Sequence, residues 1–166
     1  MTLELVLAPL QANAFKPFGD VIETHDHPEI INYGQTEKFA DLAQIEATAA
    51  GGNAALHLFR SQPVAFPIRI EFLERHPLGS QAFVPLHRNP FIVVVAEAGQ
   101  PPEPNAVRGF ITNGRQGVNF HHGVWHHYQL SLVEGCEYLV VDRAGPGSNF
   151  DEYRLGQPLV IKRLPA

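Results

Sequence analysis

Pro67-Ile68-Arg69-Ile70-Glu71-Phe72-Leu73-Glu74-Arg75-His76 alternates apolar and polar residues along most of its length. Ile68, Ile70 and Phe72 share one face and Arg69 and Glu71 the other, the period of two of a half-buried β-strand. Continuing this parity puts Glu74 and His76 on the apolar face. Similar strand-like pieces surround it: Ala54 to Arg60 before, Gln81 to Leu86 and Phe91 to Ala96 after. Val107 to Thr112, Val118 to Phe120, Tyr128 to Val133, Tyr138 to Asp142 and Leu159 to Lys162 follow. With 14 Gly and 14 Pro punctuating the chain, short strands and frequent turns read as an all-β sandwich or barrel. Helical signal is confined to Pro9 to Phe18 and Glu37 to Ala50, the second stopped by Gly51-Gly52.

The 166 residues suit one domain, residues 1–166. A formal net charge of -5 argues against nucleic-acid and acidic-membrane partners, which need a basic face. An anionic small molecule is compatible, because a pocket's local charge can oppose the net charge. One cysteine, Cys136, excludes an intrachain disulfide and a Cys-based zinc site. No signal peptide or bilayer-length apolar run is read, so a cytoplasmic location is expected. Phe91 to Ala96 is apolar on both faces, and a single barrel wall covers one. A homodimer using this or a neighbouring strand is therefore expected.

Four of nine histidines fall within His121 to His127. Leu130 and Leu132 set even positions toward the core, which sends His126 and Tyr128 inward and His127 outward. Gly123 marks a turn or bulge, so His121 can also face inward. A lone inward histidine is usually a core residue satisfied by a neighbour. A cluster beside Trp125 points instead to proton transfer or metal ligation.

Glu74-Arg75-His76-Pro77-Leu78-Gly79-Ser80-Gln81 resembles the first cupin motif, two histidines one residue apart followed by a glutamate. Glu74 stands at the first histidine position, His76 at the second and Gln81 at the glutamate. His121-His122-Gly123-Val124-Trp125-His126 resembles the second motif, with His121 in place of its proline and His126 at the ligand position. The two runs lie about fifty residues apart. This resemblance implies a cupin-type β-barrel (a double-stranded β-helix, or jelly roll) with one or two short helices. Glu74, His76, Gln81 and His126 would form a two-nitrogen, two-oxygen set suited to Ni, Mn or Fe, weakened by the neutral Gln81.

Two longer runs are more specific: Arg75 to Pro85, and Phe110 to His121 closing with Val124-Trp125-His126-His127. They resemble the ureidoglycolate lyase family of allantoin degradation, as do Ala14-Phe15, Gly19 to Glu23, Asp41-Leu42-Ala43, Arg60 with Gln62-Pro63, and Val141-Asp142-Arg143. The resemblance implies a homodimeric cupin that cleaves ureidoglycolate to glyoxylate and urea with a divalent metal, nickel foremost, and no organic cofactor. That chemistry asks for a base, an acid and a cation for the substrate carboxylate. His121, His126 and Glu74 are the candidates for proton transfer. Arg60, Arg75 or Lys38 would clamp the carboxylate, with Asn32 and Tyr128 as further substrate contacts. Arg75 has outward parity and also reads as a surface or interface charge; Lys38 also reads as a solvated lysine. Asp142-Arg143 reads as an ion pair closing a strand end. The competing readings are a ureidoglycolate amidohydrolase, a metal-dependent oxygenase or isomerase, and a non-enzymatic binding cupin.

Overall fold

In the computed structural model, which describes residues 2–165, the strands form two facing sheets and a hairpin of Glu29–Ile31 with Thr36–Lys38. At the centre of the eight-stranded sheet lie Ile68–Arg75, Trp125–His126 and Phe91–Ala96, flanked by Asp151–Ile161 on one side and Arg108–Ile111 on the other. The five-stranded sheet runs in the order Gly19–Ile22, Gly117–Phe120, Gln81–Pro85, Cys136–Ala144, Asn53–Ser61. Ile68–Arg75, Gln81–Pro85 and Phe91–Ala96 are consecutive and fall in alternate sheets, so short turns stitch the two layers together. This is the expected all-β, cupin-type barrel, and among the described residues its one α-helix is the short Ala12–Phe15. Among the described residues no helix is long and apolar enough to cross a membrane.

Phe91–Ala96 shows how the core is divided. Phe91, Val93 and Val95 join Phe15, Phe83, Val118, Phe120 and Tyr138 between the two sheets. Ile92, Val94 and Ala96 join Leu5, Leu7, Ile68, Ile70, Leu73 and Trp125 on the other face. All six residues of the strand are at most 2% exposed. Both faces are thus covered within the chain, by the sheet's own curl and the edge residues Leu5 and Leu7. The uncovered face from which a homodimer was expected does not exist on this strand.

The alternation of Ile68–Arg75 changes step midway. Ile68, Ile70 and Leu73, not Phe72, belong to one cluster. The neighbouring strand slips register at the same place: Arg154 pairs with Phe72, but Leu159 pairs with Ile70. Such a bulge reverses the faces of all later residues. Glu74 therefore faces away from Ile70, toward the space between the sheets. It reaches the barrel interior by the opposite parity to that expected.

Glu37 to Ala50 is not a helix. Thr36–Lys38 is a strand, Ala49–Gly51 a 3-10 turn, and the residues between them an irregular strap. Side chains from elsewhere claim the backbone groups that a helix would use. Gln44 N–H donates to Asp20 Oδ2 at 3.2 Å, and Glu46 N–H to Ser80 Oγ at 2.8 Å. Arg143, 6% exposed, donates to the carbonyls of Ala49 at 2.8 Å and Pro146 at 2.6 Å. It pairs with backbone instead of Asp142, because orphan carbonyls at the strap's end need donors.

Gly19 pairs with Phe120 where two strands of the barrel wall approach most closely. A Cβ there would lie 1.8 Å from the carbonyl oxygen of Asn119. No side-chain rotation relieves a backbone clash, so Gly19→Ala must pry the two strands apart. A loss of about 2–3 kcal/mol is expected in urea unfolding. An unchanged midpoint would contradict this close approach.

Candidate active site

Cross-strand pairing brings His126 opposite Glu74 in the eight-stranded sheet. His76 follows one residue after that strand ends, and Gly123 N–H, donating to its carbonyl at 2.8 Å, ties it to the turn before His126. Gly123 has φ +74°, which explains a glycine at this turn. Glu74, His76 and His126 each offer one ligand atom, and these atoms all lie within 4.8 Å of one another. The His76 and His126 rings are 5.2 Å apart, and Phe120 lies flat on His126 at 4.3 Å. His126 is 1% exposed and the Glu74 side chain 19%, so the group is buried but reached by solvent on one side.

Hydrogen bonding fixes both imidazoles in one tautomer. His76 Nδ1 lies 2.8 Å from the carbonyl oxygen of Asn149, and His126 Nδ1 lies 3.1 Å from that of Val124. A carbonyl only accepts, so each Nδ1 carries a proton, and in the neutral ring the lone pair is on Nε2. Both Nε2 atoms are buried without a hydrogen-bond partner. His126 Nε2 sits 3.5 Å from Glu74 Oε1, at the limit of a hydrogen bond. Two lone-pair atoms at that separation attract only with a proton or metal ion between them. Burial opposes the proton: it drives the His126 pKa below its usual value, against the raising influence of Glu74. Burial alone would raise Glu74, but the neighbouring His126, with His76 and His127, outweighs it and holds the carboxyl below its usual range. Two imidazoles beside an ionised carboxylate are the donor set of a divalent-metal centre. The residues fit the metal that the cupin motifs imply.

Gln81 begins the strand Gln81–Pro85 on the facing sheet. It is 5% exposed, and its Oε1 is also buried and unpartnered. His121 is outside the three-residue group; its Nε2 lies 3.2 Å from Asp20 Oδ2, at the foot of the strap. Several groups expected at the site are engaged elsewhere. Arg60, its side chain 71% exposed, binds Glu137 at 2.7 Å. Arg75 donates to Asp151 at 2.8 Å and to the Gly99 carbonyl, and stacks on Trp125 at 4.5 Å, on the face away from Glu74. Lys38 binds Glu29 and Asn32 binds Thr36, all within the exposed hairpin.

The expected inward Tyr128 and outward His127 are reversed. Tyr128 is 46% exposed, whereas His127 is 3% exposed and stacks with Phe72 at 4.9 Å. The strand Trp125–His126 ends before these residues, so the parity carried back from Leu130 does not cross the gap. Phe120 and Asp142 support the site from within the family-like runs Phe110 to His121 and Val141-Asp142-Arg143, which by themselves give them no role. Asn149 and His57 lie in no motif, and the Pro-Gly-Ser-Asn turn at 146–149 is a local signal for Asn149.

Residues 2–162 match the family model for ureidoglycolate lyase. A ureidoglycolate lyase of Pseudomonas paraeruginosa is 51% identical over 150 residues, 90% of this chain and 89% of its own length. A ureidoglycolate lyase of Pseudomonas syringae pv. syringae is 51% identical over 160 residues, 95% of this chain and 94% of its own. With that agreement along nearly its whole length, on a cupin-type barrel that gathers Glu74, His76 and His126, the chain belongs to the ureidoglycolate lyase family.

Proposed function

We propose that this chain is a cytoplasmic, metal-dependent lyase that splits ureidoglycolate into glyoxylate and urea. One observation carries the metal-dependent reading: the ligand atoms of Glu74, His76 and His126 converge within 4.8 Å, and the Nε2 atoms of both histidines are buried without a hydrogen-bond partner. In this reading His76, His126 and Glu74 hold the ion, and the family resemblance makes nickel the first to test, with manganese and iron next. When bound, a divalent ion polarises the substrate hydroxyl and offsets the charge of its carboxylate. Glu74, kept ionised, accepts the hydroxyl proton. As the carbon–nitrogen bond breaks, the oxygen's electrons form the aldehyde carbonyl. The same carboxyl then returns the proton to the departing nitrogen, giving urea. Proton transfer of this kind is worth roughly 10²–10⁴-fold. Phe120 and the barrel core shield the buried side of the group from water, and no water is consumed. In this reading the ion, and not Arg60 or Arg75, offsets the substrate carboxylate, since these arginines are paired with Glu137 and Asp151.

Among the described residues, this trio is the only group of three or more His, Cys, Asp or Glu side chains placed to bind a metal. That favours one-metal elimination over a two-metal amidohydrolase. Purified protein given ureidoglycolate and nickel should release urea and glyoxylate in equal amounts without ammonia. Ammonia in place of urea would make it an amidohydrolase.

We also place a homodimer contact on the outer face of the five-stranded sheet. Leu56 and Leu58, 69% and 68% exposed, are cross-strand partners of Val141 and Leu139, and Leu139 in turn of Val84. These partners share one face, and a contiguous apolar patch of this kind is usually covered. Sedimentation should give a dimer for the wild type and a monomer for Leu56→Glu/Leu58→Glu. A concentration-independent wild-type monomer would refute the assembly.

A further inference from the structure

Gln81 carries a polar atom with no task in the reaction above. Its Nε2 lies 3.3 Å from Asp142 Oδ2, and Asp142 Oδ1 lies 3.0 Å from His57 Nε2. A carboxylate only accepts, so the NH₂ edge of the Gln81 amide faces Asp142 and its carbonyl edge faces away. That carbonyl oxygen is buried and unpartnered. Gln81 is also the cross-strand partner of Phe120, so both side chains leave the sheet on the same face. Phe120 lies flat on His126. The Gln81 side chain therefore leaves the facing sheet on the same side as the ring that covers His126. A buried acceptor without a donor is unfavourable until a ligand N–H reaches it.

Ureidoglycolate has such donors at one end only. Its carboxylate and hydroxyl belong with the metal-binding trio, and its planar ureido group carries the N–H bonds. We propose that Gln81 Oε1 accepts from the ureido N–H groups of the substrate. Asp142, braced by His57, is the positioning residue that keeps the amide turned this way. The inference rests on the lyase reading above and makes this pair the determinant of specificity for a urea-bearing substrate. An analogue with an ester in place of the ureido group, which has acceptors and no donor there, leaves the Gln81 oxygen unmatched or repelled.

The terminal NH₂ keeps its protons throughout cleavage, so its bond to Gln81 is present before and during the reaction. Losing such a bond raises KM more than it lowers kcat. The test is steady-state kinetics on nickel-loaded wild type, Gln81→Met, Asp142→Asn and the double variant, with nickel affinity measured on each. Asp142→Asn can donate to Gln81 and so permits the amide to turn over. Each single variant should raise KM about tenfold, with kcat within about threefold and nickel affinity unchanged. The double variant should be no worse than Gln81→Met, because Asp142 acts through Gln81. His57→Ala, a change on a side chain 44% exposed, should raise KM in the same direction and decides the matter if the buried variants do not fold. An unchanged KM, or multiplying losses in the double variant, would overturn the proposal. So would a tenfold loss of nickel affinity in Gln81→Met, which would make Gln81 a metal ligand. Wild-type protein inactive on ureidoglycolate would instead remove the lyase reading, and the assignment of this substrate with it.

Discussion

Two backbone carbonyls, those of Asn149 and Val124, determine what the centre of this protein can do. By accepting the Nδ1 protons of His76 and His126, they hold both rings in the tautomer whose Nε2 is bare. The ionised Glu74 faces the same space, and burial of His126 opposes the proton that would otherwise neutralise it. Replacing either carbonyl contact by water would free the ring to turn its N–H inward and would remove a candidate ligand. The backbone is thus as much a part of this site as the side chains.

The barrel serves that arrangement. Glu74 and His126 are cross-strand partners in one sheet, while Phe120 and Gln81 are partners in the other. Stacking Phe120 on His126 joins the two layers at the site. The bulge opposite Arg154 to Leu159 turns Glu74 toward this space while Leu73 stays in the outer cluster. A strand without it would bury Leu73 at the site and direct the carboxylate elsewhere.

Much of this was legible in the sequence. Period-two alternation with frequent turns is a local property, so the all-β barrel and most of its strands could be read from it. The spacing of Glu74, His76 and His126 pointed to groups that the fold does gather. Parity was a poor guide wherever the strand was not continuous. The bulge reversed the faces after Ile70, and the break after His126 exchanged His127 and Tyr128. Ion pairing was also hidden, because Arg60 and Glu137 are 77 residues apart and Arg75 and Asp151 are 76. Only the register of distant strands makes them neighbours. For the same reason nothing near Gln81 announced Asp142, 61 residues away. The strap over residues 39–48 has helix-compatible composition, and its shape is set by Asp20 and Ser80 from outside it.

The most direct test of the proposed metal centre is X-ray absorption at the nickel edge on protein loaded with one equivalent of Ni²⁺. The arrangement of His76, His126 and Glu74 predicts outer-shell scattering from two imidazole rings with oxygen completing the inner shell, and loss of one ring's contribution in His126→Ala. A spectrum of oxygen scatterers alone, unchanged in that variant, would contradict it.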